Sequence, residues 1–250
     1  MPSPTASPAA VVDTLTTPCP GKAPTDAKAG KSASVQSRNW SGYVATGATT
    51  FSCVEAVWTQ PKVRCRGSVQ QAAVYWVGLG GYDHHSLVQI GTESACVGGV
   101  AQAAAWHESL PRETYALRAN LRIRVGDRIW GQVRSLGNGH YRMSLVNLTT
   151  RKRVSIPIVN STLRRTSAEW IVEAPTGGCP QACHTVRMPD FKTFAFEEAW
   201  LSLAGARRPL VGSRFVRAEE AMVAADGRIR SEVTATGPDG TSFTVRWRRP

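Results

Sequence analysis

An all-β fold, an antiparallel two-sheet β-sandwich of the jelly-roll or concanavalin kind, follows from three observations in this sequence. From Arg38 onward the chain divides into about a dozen short runs rich in Val, Ile, Trp, Tyr and Phe, the residue types that fit a pleated, half-buried surface. Turn signals separate the runs: "LGNGH" at 136–140, "NLTTRK" at 147–152, "AADGR" at 224–228 and "GPDGT" at 237–241, and Asp-Gly between alternating segments is a strong hairpin signal. Helical periodicity is weak throughout, with "RFVRAEEAMVAA" at 214–225 the one helix candidate.

The runs follow in order as "SGYVAT", "CVEAVWT", "AAVYWVGL", "SLVQIGT", "AQAAAWHE", "RIWGQVRSL", "YRMSLVNL", "RVSIPIV", "AEWIVEA", "AWLSLAG", the helix candidate, "RIRSEVTAT" and "SFTVRWR". With 250 residues, 42% of them hydrophobic, the chain can bury one sizeable core. The opening stretch differs. Residues 1–36 are rich in Pro, Ala, Thr, Ser and Lys and nearly free of long apolar side chains. They cannot bury enough surface to offset chain entropy, so they read as a flexible leader or pro-segment remnant before a single domain at 37–250. No basic stretch followed by an apolar one marks a signal peptide there.

Six cysteines, at 19, 53, 65, 96, 179 and 183, lack the paired spacing of a zinc site and suit an oxidising compartment. The expected bridges are Cys65–Cys96, Cys179–Cys183 and Cys19–Cys53, among the 15 pairings that six cysteines allow. No metal or other cofactor is expected. No apolar run reaches the 18 residues a spanning helix needs, so no membrane partner is expected. The formal net charge is +12, yet the arginines are scattered along strands and no nucleic-acid motif surrounds them. They read as solvated outer faces, and no nucleic-acid partner is expected.

The candidate chemistry lies in a few strands. In "AEWIVE", side-chain alternation puts Glu169, Ile171 and Glu173 on one face and Ala168, Trp170 and Val172 on the other. The two Glu are roughly 13 Å apart along the strand and cannot serve one atom as a pair. In "AAAWHES", Trp106 and Glu108 share a face. In "LVQIG", Gln89 sits among apolar neighbours and needs partners if buried. A G-x-S-x-G elbow, an H-E-x-x-H zinc motif and a P-loop are all missing.

"NWSGYV", "VWTQPKV", "YWVGLGGY", "LVQIGTE", "AAWHESLP" and "AEWIVEAP" occur in that order between residues 39 and 175. Together they resemble the glutamic peptidase (eqolisin) family, particularly its bacterial branch, over nearly all the structured chain. The resemblance implies a curved two-sheet sandwich with polypeptide substrate across its concave face, and a secreted, pepstatin-insensitive acid endopeptidase. It implies Gln89 and Glu173 as the catalytic pair, with Trp40, Trp106, Glu108 and Glu169 as cleft residues that bind substrate. A monomer is the expected state.

"GLGG" stands where many fungal members carry "GIDG", so Gly80 replaces an Asp. His107 is expected as a new cleft residue able to charge in acid. The basic composition would favour ionised Glu173 and a lower working pH, unless it is compositional bias without function. Two alternatives use the same strands. A carbohydrate-binding sandwich would stack sugars on Trp40, Trp76 and Trp106. A glycoside hydrolase would pair Glu108 with Glu173 across a cleft.

Overall fold

The structure is a computed structural model, and it describes residues 15–23, 32–111, 114–116, 120–177, 184–211 and 215–250. Its strands are β1 Ser32–Ser37, β2 Trp40–Thr46, β3 Phe51–Thr59, β4 Gln71–Gly80, β5 Leu87–Val97, β6 Val100–Leu110, β7 Thr114–Ala116, β8 Arg128–Gly137 and β9 His140–Asn147. They continue as β10 Lys152–Val159, β11 Ser167–Glu173, β12 Thr176–Gly177, β13 His184–Thr185, β14 Thr193–Leu203, β15 Ala206–Pro209, β16 Val216–Val223, β17 Ile229–Thr236 and β18 Phe243–Trp247.

One hydrogen-bonded path links most of them, in the order β10-β9-β8-β3-β14-β18-β17-β16-β2-β11-β4-β5-β6-β7. The path folds over so that β3, β8 and β9 pack across from β4, β5 and β11. The sandwich is thus a single curved, nearly closed antiparallel sheet. The expected Asp-Gly hairpins are present: the turn at 224–228 joins β16 to β17 and that at 237–241 joins β17 to β18.

Alternation along each strand fills the space between the layers. Tyr43, Tyr75, Val77, Leu79, Val88, Ile90, Trp170 and Val172 point into it from one side, and Val54, Trp58, Val133, Leu145 and Phe196 belong to the same core. Trp170 is fully buried and its indole N–H donates to the Glu55 carbonyl at 2.9 Å, tying the two layers together. Trp58 does the same through Thr92 Oγ1 at 2.9 Å. The opposite face of β2, β11, β4, β5 and β6 carries its own apolar cluster, including Trp76, Trp106 and Ile171 with Trp40 packed against it. β4 is buried along its whole length because both of its faces are covered.

The helix candidate at 214–225 is corrected: its described part forms β16. Pairing to β2 on one edge and to β1 on another supplies a ladder that local helical preference cannot match. The opening residues also contribute to the body. Cys19 is bridged to Cys53 and its N–H donates to Glu55 at 2.9 Å, Thr17 O accepts from Gln132, and Pro20 O accepts from Ser202. A covalent bond and main-chain hydrogen bonds hold this segment where composition offered little apolar surface. Cys65–Cys96 is the second bridge; Cys179 and Cys183 lie outside the described residues.

Gly91 marks a very tight approach in the cleft layer. A Cβ there would stand 2.1 Å from the Tyr75 carbonyl oxygen and 2.7 Å from Trp76 Cβ. Gly91→Ala is therefore expected to destabilise by about 1–3 kcal/mol, a fall in Tm of roughly 2–12 °C at this chain length, measured by thermal denaturation. An unchanged Tm would show that the strands part without strain.

Candidate active site

The cross-strand register assembles the site. Directly opposed residues share a face, and one row runs Val44 (β2), Glu169 (β11), Gly78 (β4), Gln89 (β5) and Glu108 (β6). The next runs Gly42, Ile171, Trp76, Gly91 and Trp106, and a third runs Trp40, Glu173, Val74, Glu93 and Ala104. Gln89, Glu173, Trp40, Trp106 and Glu108 therefore all lie on one sheet face. Gln89 and Glu173 are two strands apart and four residues along, with Trp76 in the row between.

Glu173 is the partly accessible last residue of its strand. Its Oε1 accepts from Asn39 Nδ2 at 2.9 Å and its Oε2 from the indole Nε1 of Trp76 at 2.8 Å. Trp40 stands edge-on to Trp76, with ring centroids 5.1 Å apart. Burial lifts the Glu173 carboxyl to about 7; the Trp76 hydrogen bond opposes this, the charge of Glu108 adds to it, and Asn39 and Trp40 oppose it further. The expectation that a basic chain would favour its ionised form is corrected, because desolvation outweighs a field from scattered, exposed arginines.

Gln89 is 4% exposed, and its Nε2 donates to Glu108 Oε2. Among the described residues its Oε1 has no hydrogen-bond partner, nor has the indole N–H of Trp106, which is 6% exposed. A buried amide oxygen and a buried indole N–H without partners are costly to fold, and both belong to the face that carries Glu173. Glu108 links the group, bonding Gln89 while acting on Glu173 through space.

Glu169 lies in the row of Gln89 and Glu108, level with them in register. It is fully buried, and neither carboxyl oxygen has a hydrogen bond of ordinary geometry. Burial pushes its carboxyl well above the usual range; Ser167 opposes this and Asp83 adds to it. Asp83 belongs to the turn after β4 and accepts from Thr166 Oγ1 at 2.7 Å. His107 is corrected as a cleft residue. It alternates with Trp106 and Glu108, opposes Ile90 and is 8% exposed, so it faces away from the cleft, and burial lowers its pKa.

Asn39 and Trp76 are the residues that sequence reasoning did not assign to this carboxyl. Both lie inside quoted motifs, but only cross-strand register shows that they converge on Glu173. Among the described residues, the one group with metal-ligand proximity is Cys19, Cys53 and Glu55. Its sulfurs are joined to each other and its carboxylate is bonded by Arg207 at 2.8 Å, so they offer no thiolate to a metal. No described helix is long and apolar enough to cross a membrane.

A neutral carboxyl at Glu169 makes stability depend on pH with a definite sign. A carboxyl whose pKa is higher in the folded than in the unfolded state stabilises fully below the unfolded value near 4.5. That contribution is lost as pH rises toward the folded value. Tm is expected to be higher near pH 4 than near pH 7.5, and Glu169→Gln to raise Tm at the upper pH by several degrees, narrowing the gap. Scanning calorimetry at both pH values checks this; a variant with the same gap would place the dependence elsewhere.

The family model described as the peptidase A4 family matches residues 38–246. Among solved structures, scytalidoglutamic peptidase with a transition-state analogue inhibitor is similar at a TM-score of 0.73 and 23% identity, covering 84% of this chain and 98% of that one. SCP-B, an eqolisin in complex with the tripeptide Ala-Ile-His, is similar at a TM-score of 0.70 and 23% identity, with the same coverage. Aspergilloglutamic peptidase from Aspergillus niger is similar at 0.61 and 26% identity, covering 71% of this chain and 99% of that one. No curated protein matches the chain.

Proposed function

The chain belongs to the peptidase A4 family, and on that premise we propose that it is an acid endopeptidase whose peptide-bond chemistry is carried by Gln89 and Glu173. The observation that carries the reading is the Glu173 carboxyl, held by two neutral donors on the same face as a carboxamide that Glu108 orients. On this reading residues 37–250 are the peptidase domain, and the residues before them are a leader of which 15–23 and β1 lie against its surface. The two described disulfides suit an oxidising compartment, and the proposed site of action is extracellular, on polypeptide substrates.

In the proposed cycle, ionised Glu173 takes a proton from a water whose oxygen bonds to the scissile carbonyl carbon. The carbonyl π electrons move to oxygen, and the oxyanion accepts from Gln89 Nε2. That nitrogen has two hydrogens, and Glu108 takes one, leaving the other for the oxyanion. The C–N bond then breaks as Glu173 returns its proton to the leaving amine. The carboxamide does not titrate, so its donor survives in acid. Asn39 and Trp76 hold the Glu173 carboxyl in place throughout.

Turnover of a denatured protein from pH 2 to 8 tests the assignment. Gln89→Ala is expected to lower kcat by about 10²–10³, the loss seen on removing an oxyanion donor, and Glu173→Ala to remove turnover. Reducing-sugar release from glycans that survives Gln89→Ala would instead favour the glycoside hydrolase. The pKa near 7 gives an independent readout. With Glu173 acting first as base, kcat/KM rises with pH toward 7 and levels there. Trp76→Phe removes a donor to the charged form and moves the inflection up, whereas Glu108→Gln removes a repelling charge and moves it down. A profile that falls as pH rises through this range would make Glu173 an acid throughout and end the base-first cycle.

A further inference from the structure

The second layer carries a site the proposed peptide chemistry does not use. On the outer face of β8, β9 and β10, Arg134 is directly opposite Arg142, Ser144 is opposite Ser155, and Arg153 is opposite Val146. Leu15 and Thr17 of the bridged opening segment close one side, making a cavity of about 330 Å³. Among the described residues, no carboxylate lines it. Arg142 and Arg153 are exposed and Arg134 is half-buried.

Three observations characterise this patch. Like charges directly across an antiparallel pair destabilise the sheet, so the Arg134–Arg142 opposition does nothing for the fold. Five arginines elsewhere are matched to carboxylates: Arg66 with Asp190, Arg128 with Glu197 and Glu198, Arg207 with Glu55, Arg228 with Asp226 and Arg248 with Glu232. Among the described residues, none of Arg134, Arg142 and Arg153 has such a partner. Glu55, on the same face beyond Gln132, is 2% exposed and committed to Arg207.

We propose that this groove binds an anionic glycan, a chain carrying repeated sulfate or carboxylate groups. Three guanidinium groups around one cavity fit several anions presented at once, and each can bond an oxyanion through two N–H groups. The facing Ser144 and Ser155 hydroxyls add groups that exchange hydrogen bonds with sugar hydroxyls. Single-stranded nucleic acid is disfavoured because it relies on exposed aromatic faces for base stacking. The one aromatic ring here, Trp130, is 6% exposed and packed against Val57 and Val146. The groove lies on the other layer from Gln89 and Glu173, so bound glycan would leave the proposed cleft free.

The test measures binding of the full chain to labelled heparin and polygalacturonate oligosaccharides, and to single-stranded DNA of matched charge, from 50 to 200 mM salt. Arg134→Gln/Arg142→Gln/Arg153→Gln is expected to weaken binding of at least one glycan tenfold or more and to flatten its salt dependence by about one unit of slope for each guanidinium removed from the groove. A control triple, Arg64→Gln/Arg164→Gln/Arg246→Gln, should change affinity less than about twofold. Both variants should keep a Tm at least as high as the parent's and the parental turnover of a soluble protein substrate. The two glycan arms separate sulfate from carboxylate. No glycan binding at 50 mM salt, an equal loss in the control triple, or DNA bound as tightly as glycan with the same loss would each overturn the proposal.

Discussion

The position of β11 between β2 and β4 is the constraint on which the rest depends. Strand periodicity is two, so a slip of one residue would carry Glu173 into the core and bring Val172 onto the cleft face. Trp170 prevents the slip. Its ring fills the space between the layers and its indole N–H is committed to the carbonyl of Glu55 on β3. The same strand thus locks itself from one side and presents chemistry from the other. On the presented side, Gly42, Gly78 and Gly91 flank bulky neighbours. Gly91 lets Trp76 lie close against the sheet, and Trp76 in turn holds the Glu173 carboxyl.

Much of this was legible in the sequence. Val, Ile and aromatic runs broken by Asp-Gly turns give the strands, and alternation alone puts Glu173 opposite in sense to Trp170. Ordered motifs from "NWSGYV" to "AEWIVEAP" point to the family that the match over residues 38–246 establishes. The "RFVRAEEAMVAA" stretch was misleading because Ala and Glu favour helix locally, while its edges are claimed by strands distant in the chain. The fate of Glu169 was not legible either. Alternation gives it the same face as Glu173, but only tertiary packing decides that one end of that face is sealed while the other stays partly open. His107 illustrates the converse: neighbours in a motif need not be neighbours in a site, since adjacent strand residues look in opposite directions.

The charge of the molecule divides in the same spatial way. Three carboxyl groups lie where water is scarce, Glu169 and Glu173 on one layer and Glu55 on the other. Arginines occupy the outer rows. Glu55 is the exception that joins the two populations, accepting from Arg207, Gln132 and the Cys19 N–H. A buried carboxylate with this many donors stays paired, and in doing so it anchors the opening segment. Glu169 has no such company, and its simplest state is neutral.

That neutrality has a consequence for where such a molecule lasts. Most globular proteins tolerate neutral surroundings and fail in acid, when paired carboxylates are discharged. A sealed, uncharged Glu169 pulls the other way: acid leaves it undisturbed, whereas alkalinisation asks it to place a charge in a buried strand. Such a molecule keeps this contribution in acid surroundings and gives it up as they approach neutrality.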